Sequence, residues 1–282
     1  MKYNKIKSFA KINLSLNVFR KLKTGLHEIE TLITFIKLSD DIFIKPIKKN
    51  NHNVFFYGKF SSGISKNNTV TNLLKILDER KKLNKIKYTI KIKKNIPCRA
   101  GLGGGSINSG TILKYFIKKK IIKCNKKEVL EISKKIGSDV IFGLQDKKII
   151  LLSKKNIINS NKKVGLHIII SKPHFGCSTA LIYKKLKKFN RNSLNGKIKK
   201  NLKVENLIKL KNDLENPAFK IYPSLSNLKN FMNTLKDVKF VRMTGSGSCM
   251  IAYFNSKKSS INAIKIMKKK YKNYLSILSK TI

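Results

Sequence analysis

The chain has 282 residues, of which 63 are Lys or Arg and only 14 are Asp or Glu, giving a formal net charge of +49. Its 41% apolar content is enough for an ordinary folded core, and no apolar run approaches the roughly 18 residues of a membrane-spanning helix, so no membrane partner is expected. The four cysteines, Cys98, Cys124, Cys177 and Cys249, are dispersed and form no C-x-x-C pair, which argues against a zinc site and for reduced thiols.

Ile12, Leu14, Leu16 and Val18 alternate with Lys11, Asn13, Ser15 and Asn17, the pattern of a half-buried strand. Lys11 also interrupts the one candidate for an apolar signal segment, so a cytoplasmic location is expected. Further strand-like runs fall at 32–36, 42–47, 54–57 and 88–92. A helix is predicted over 70–82, with Leu73, Leu74 and Leu77 on one face. A glycine-rich stretch, 100–106, leads into a helix over 108–118, and another helix over 126–136 stops at Gly137. The polar segment 153–163 reads as a hairpin or linker. Beyond it come a strand at 166–171, helical stretches near 179–187, 204–211 and 224–235, strands at 239–243 and 249–254 around a tight turn, a lysine-rich helix over 257–270 and a last short strand. The lysine-rich segments 114–127 and 184–203 read as solvated surface. The whole is an α+β pattern.

A charge of this size first suggests a polyanion partner. The basic residues are nearly all lysine, however; the only arginines are Arg20, Arg80, Arg99, Arg191 and Arg242. They are also spread along the chain, whereas a surface built to grip nucleic acid favours the planar arginine fork in clusters. Lys, Asn and Ile share AT-rich codons, so compositional drift accounts for the charge, and no specific nucleic acid is expected.

The strongest local signal is the run Pro97, Cys98, Arg99, Ala100, Gly101, Leu102, Gly103, Gly104, Gly105, Ser106, Ile107, placed after a strand and before a helix. Glycines let backbone approach a ligand closely, and a helix N-terminus offers free N–H groups and the positive end of the dipole, so the segment suits phosphates. It is neither a Walker A loop nor a dinucleotide fingerprint. Asp139, in Gly137-Ser138-Asp139-Val140, reads on its own as a helix cap or turn aspartate. Lys11 alone reads as a solvated charge. His27, in Gly25-Leu26-His27-Glu28, reads as a structural histidine, and Thr244-Gly245-Ser246-Gly247-Ser248 as a β-turn.

Together these elements, A-K-I-N at 10–13, G-L-H-E at 25–28, P-x-x-x-G-L-G-G-G-S at 97–106, G-S-D-V at 137–140, N-D-L-E at 212–215 and T-G-S-G-S at 244–248, resemble the GHMP kinases nearly end to end. G-x-H-E, N-D-L-E and T-G-S-G in this order point to a member whose acceptor carries a cytidine diphosphate group. The resemblance implies two domains, 1–157 like the second domain of ribosomal protein S5 and 158–282 ferredoxin-like, with the active site in the cleft between them. It implies ATP and Mg2+, with metal ligands unassigned. Residues 97–107 would bind the ATP phosphates, and Asn68 would lie near the adenine. Asp139 would take the hydroxyl proton, with Lys11 beside the transferring phosphoryl group. His27 would bond the cytosine edge and Tyr183 stack on the base, while Asn13 and Thr179 would place the acceptor. Leu26 stands where the family usually has a tyrosine, Ile107 where it has a second serine, and Arg99 where it has a small residue; no G-x-G-E element follows residue 150. Such an enzyme would be a monomer or homodimer. Two other readings remain open: a kinase of the same family acting on homoserine, mevalonate or a sugar, and a non-enzymatic RNA-binding protein.

Overall fold

The structure is a computed structural model that describes residues 2–145, 149–153, 156–160, 163–191, 193–194 and 202–282. Ten strands and nine helices are traced among the described residues: β1 (Asn4–Lys21), β2 (His27–Ile47), β3 (Asn53–Tyr57), α1 (Thr69–Glu79), β4 (Lys87–Lys93), α2 (Gly104–Lys118), α3 (Lys126–Ile136), α4 (Val140–Gly143), β5 (Ile149–Ser153), β6 (Asn156–Ser160), β7 (His167–Lys172), α5 (Thr179–Lys185), α6 (Val204–Ile208), α7 (Glu215–Ile221), α8 (Pro223–Asn233), β8 (Phe240–Met243), β9 (Met250–Phe254), α9 (Lys257–Lys270) and β10 (Leu275–Lys280). They fall into two compact units. The first comprises Met1–Ala10, Leu38–Cys98 and Gly103–Asp146, and the second Lys11–Lys37, Arg99–Leu102 and Lys147–Ile282.

In the first unit β4 pairs antiparallel with Asp41–Ile47 of β2 and parallel with β3. Ile42, Ile44, Ile90 and Ile92 meet the apolar faces of α1, through Val70, Leu73, Leu74 and Leu77, and of α2, through Ile112, Leu113 and Phe116. The i, i+3, i+4, i+7 spacing on α1 aligns its stripe with this core. Asn68 caps α1: its side chain accepts from the Val70 and Thr71 N–H groups, while the Thr71 hydroxyl accepts from the Asn68 N–H. Asn125 and Glu128 form the equivalent reciprocal cap on α3.

In the second unit β7 to β10 form an antiparallel sheet in the order β10-β7-β9-β8. The chain order is strand, helices, strand, strand, helix, strand, which is the ferredoxin-like arrangement the resemblance implies. Its core joins Ile169, Met243, Met250, Ala252 and Phe254 of the sheet to Leu225, Leu228 and Met232 of α8, and to Ala263, Ile264 and Met267 of α9. Also in this unit, Glu30–Thr34 of β2 pair with β5, and β5 pairs with β6.

Three expectations are revised. The runs at 32–36 and 42–47 belong to one strand, β2, because the polar Ser39-Asp40-Asp41 stretch between them does not break it: Asp40 is fully buried and fully bonded. The polar alternates of β1 do not face water, since Lys11, Asn13, Ser15 and Asn17 are all buried. Finally, α2 begins at Gly104 rather than at residue 108. Its first turn closes through Ile107 N–H to Gly103 O at 2.8 Å, despite the poor helix propensity of glycine. The hairpin or linker expected over 153–163 and the surface segment 184–203 lie partly outside the described residues.

Helices α2 and α4 touch backbone to backbone. A Cβ on Gly110 would lie 2.1 Å from Val140 O, and one on Gly143 2.5 Å from Ile107 O. Only glycine permits this approach, which fixes α4 and the adjoining Asp139 against the helix that begins at the glycine loop. Gly110→Ala is therefore expected to destabilise the chain by about 1–3 kcal/mol or more, read from the urea midpoint.

Candidate functional site

The second unit gathers several of the sequence-selected residues on the polar face of β1. The Lys11 ammonium is buried and donates to Asn13 Oδ1 at 2.8 Å, so it is not a solvated charge. The same oxygen accepts from Gly245 N–H at 2.9 Å and Thr244 Oγ1 at 3.1 Å. Asn13 Nδ2 donates to Thr31 Oγ1 at 2.7 Å, and that hydroxyl donates onward to Ser15 O at 2.6 Å. Asn13 N–H donates to Thr244 Oγ1 at 3.1 Å. Asn13 thus anchors Lys11 to the Thr244-Gly245 turn.

The turn is held from below. Asn212 Nδ2 donates to Met243 O at 2.9 Å and Gly245 O at 2.8 Å, and Glu215 accepts from Met243 N–H at 2.7 Å while pairing with Lys229 at 2.5 Å. Asp213 accepts from Val18 N–H at 2.8 Å, and burial raises its pKa above the ordinary aspartate value. The N-D-L-E element, which the sequence reading left without a role, is thus the support of the turn. Upstream of it, Arg242 donates to the carbonyls of Leu14, Leu207, Ile208 and Leu210. Gly101 lies tight against the same turn: a Cβ there would fall 2.2 Å from Thr244 O, and its φ of +71° is left-handed. Leu102 O accepts from Lys11 N–H at 3.2 Å.

Elsewhere in this unit the rings of His27 and Tyr183 lie with centroids 4.5 Å apart, and Phe189 lies 6.3 Å from His27 with its plane inclined by 29°. Burial first, and then Lys21, lower the pKa of His27, which favours a neutral ring able to both donate and accept. Thr179 Oγ1 meets Ser246 Oγ at 2.7 Å. Leu26 is 68% exposed. Arg99 holds a left-handed backbone, φ +50°, and Ala100 is buried.

The first unit carries the remainder of the glycine segment. Gly103 occupies the N-cap of α2 with φ +71°, and Gly104, Gly105 and Ser106 form the first turn, whose N–H groups are the free ones of a helix start. The Thr69 hydroxyl donates to Gly105 O at 2.8 Å, bracing this turn from α1. Cys98 Sγ reaches Phe60 O at 3.4 Å, and Ile107 is buried. Asp139 stands at the start of α4 with a helical backbone, and its carboxylate makes no cap bond. Ser106 Oγ would lie 3.4 Å from a Cβ on Gly137, which puts the segment leading to Asp139 against the first turn of α2. Both ends of the Asn68 side chain serve the α1 cap region, since its Nδ2 donates to Ser65 O and Lys66 O.

The glycine arrangement fits phosphate oxygens: a helix of fifteen residues starts at consecutive glycines, and at Gly105 a Cβ would meet only Thr69 Oγ1, at 3.5 Å. Sequence reading singled out Asn212 within N-D-L-E without a role and missed Thr31, Phe189 and Asp40. Of those missed, only Asp40 carried a signal, the scarcity of acids in a chain with 14. Thr244→Val removes the hydroxyl that serves Asn13 while keeping the shape of the side chain. The unsatisfied Asn13 N–H is expected to cost about 1–3 kcal/mol of stability, measurable by urea unfolding.

The family model for the GHMP kinases N terminal domain matches residues 68–153, and that for the GHMP kinases C terminal matches 193–273. A Pelagibacter ubique protein named 4-diphosphocytidyl-2-C-methyl-D-erythritol kinase is 48% identical over 278 residues, covering 99% of each chain. A Fusobacterium nucleatum protein of the same name is 35% identical over 253 residues, covering 86% of each. Among solved structures, a 4-(cytidine 5'-diphospho)-2C-methyl-D-erythritol kinase superposes with a TM-score of 0.80 at 20% identity, covering 99% of both chains. Homoserine kinase from Cytophaga hutchinsonii superposes at 0.68 with 17% identity, covering 99% of this chain and 94% of that one. Those two structural likenesses speak for the fold, and the two sequence relatives for the family: the chain belongs to the GHMP kinases, in the family of the 4-diphosphocytidyl-2-C-methyl-D-erythritol kinases.

Proposed function

We propose that the chain transfers the γ-phosphoryl group of ATP to the 2-hydroxyl of 4-diphosphocytidyl-2-C-methyl-D-erythritol, a step of non-mevalonate isoprenoid precursor biosynthesis. The observation that carries this reading is the 48% identity to a relative of that name along the whole chain. The His27 and Tyr183 ring pair supports it, because a planar base needs a flat face and an edge partner.

When bound, ATP supplies the phosphoryl group and Mg2+ neutralises charge on its phosphate oxygens. The N–H groups at the start of α2 hold the phosphates. Asp139 accepts the proton as the acceptor oxygen bonds to phosphorus and the bond to the departing ADP breaks. Lys11, kept in place by Asn13, sets positive charge where negative charge grows on the transferring group. His27 bonds the cytosine edge, Tyr183 stacks on the ring, and Asn13 and Thr179 order the acceptor end. Leu26 gives the cytosine apolar contact in place of an aromatic. Residues 97–107 form the phosphate loop. Asn68 shapes the adenine side by capping α1, and its side chain would reach the base only by giving up that cap.

We further propose a domain division near 157/158, which falls between the two family-model matches, and a monomer or homodimer in the cytoplasm. The four cysteines are free, as a reducing compartment would leave them. No helix among the described residues is long and apolar enough to cross a membrane.

The test is phosphorylation of a panel of acceptors by the purified chain, with product followed by phosphorus NMR. The diphosphocytidyl acceptor is expected to exceed homoserine and mevalonate in kcat/KM by about 10²-fold or more, and Asp139→Asn to lose about 10²-fold or more of kcat. Preference for homoserine, mevalonate or a sugar would replace the substrate assignment with another member of the family. A folded chain that phosphorylates nothing but binds RNA with a steep salt dependence would favour the polyanion reading.

A further inference from the structure

Asp40, on β2, is fully buried, and its carboxylate accepts from four donors. Oδ1 takes the backbone N–H groups of Asn95 at 2.8 Å and Ile96 at 2.9 Å. Oδ2 takes Asn108 Nδ2 at 2.9 Å and pairs with the ammonium of Lys94, itself buried. Asn95 and Ile96 run directly into Pro97, while Asn108 lies on the second turn of α2. One carboxylate therefore ties together the two flanks of the glycine loop. The Lys94 ammonium lies 3.5 Å from the position a Cβ on Gly104 would take, beside the first turn of the helix. Asn108 Oδ1 is buried with no hydrogen-bond partner among the described residues, so Asn108 meets this cluster only as a donor.

Buried ion pairs gain little stability over apolar packing of the same shape. This one belongs to the unit whose hydrophobic core is built mainly of Ile, Leu and Val side chains. Its distinctive contribution is geometric: it fixes where the backbone leaves β4 relative to where α2 begins. Phosphoryl transfer depends on positioning, and a loop whose N–H groups are already aimed binds phosphate with less ordering cost. We propose that Asp40 is a positioning residue that pre-orders the phosphate loop through Lys94, Asn95, Ile96 and Asn108, and so sets the KM for ATP. The proposal rests on the reading of that loop as the ATP phosphate site.

The experiment compares the full chain with Asn108→Ala, Asp40→Asn and the double variant Asp40→Asn/Lys94→Met. It measures urea midpoints, the KM for ATP and for the acceptor separately, and amide hydrogen exchange across residues 95–107. Asn108→Ala keeps the ion pair and is expected to fold, with the KM for ATP and loop exchange both raised about 3- to 10-fold and the KM for the acceptor within about twofold of the parent. Asp40→Asn strands the Lys94 charge and is expected to lose stability; the double variant is expected to regain it without regaining the KM for ATP. An unchanged KM for ATP and unchanged loop exchange in folded Asn108→Ala and double variants would overturn the proposal, as would a loss confined to the KM for the acceptor. If the parent phosphorylates nothing, the functional reading fails separately. Loop exchange then still decides whether Asp40 orders the loop, with no change counting against it.

Discussion

The second unit is organised around one amide oxygen. Asn13 Oδ1 receives a lysine ammonium, a backbone N–H and a hydroxyl, all within 3.1 Å. A buried ammonium costs several kcal/mol in desolvation unless acceptors offset it, and this oxygen is one acceptor that does so for Lys11. The oxygen in turn depends on a turn that would splay without Asn212 and Glu215, and the turn can sit against the loop only because residue 101 is glycine. The energetic logic is one of conditional burial: each polar group is removed from water because the next has already been placed.

The first unit solves a similar problem with an acid. Asp40 satisfies two backbone donors and two side chains at the flanks of the glycine loop, and Thr69 braces the helix start from α1. Gly110 and Gly143 then let α2 and α4 meet at backbone distance, which governs where Asp139 stands relative to the start of α2. In both units rigidity comes from buried hydrogen bonds and from glycines that allow close approach. Among the described residues only a few charged groups are buried, while most of the lysines remain outside.

Periodicity made much of this legible. The α1 stripe of Val70, Leu73, Leu74 and Leu77, the glycine stop of α3, and the strands around Thr244–Ser248 follow from local rules, and they appear where those rules put them. Local rules failed where a distant partner changes the environment of a residue. Lys11 alternates with apolar neighbours and reads as solvent-facing, yet it is buried and donates to Asn13, whose oxygen also takes Thr244, 231 residues further along the chain than Asn13. Asp40 sits in a polar stretch between two apolar runs, and its contacts with residues 54 to 68 positions away satisfy its carboxylate inside the continuous strand. Propensity alone starts α2 too late because glycine is a poor helix former on average, whereas its first turn is closed by Ile107 N–H to Gly103 O and braced by the Thr69 hydroxyl. The family resemblance supplied the roles of His27, Tyr183 and Asp139, which no spacing argument could give.

The central claim is that Asn13, besides helping to order the acceptor, acts on the phosphoryl-transfer step through Lys11. A double-mutant cycle on kcat tests it directly, with Lys11→Met, Asn13→Ala and the pair combined, each checked for folding. The account predicts that Asn13→Ala loses most of what Lys11→Met loses, and that the double variant is no slower than Lys11→Met to within about twofold. Losses that simply multiply would show that the two residues act independently and would contradict the account.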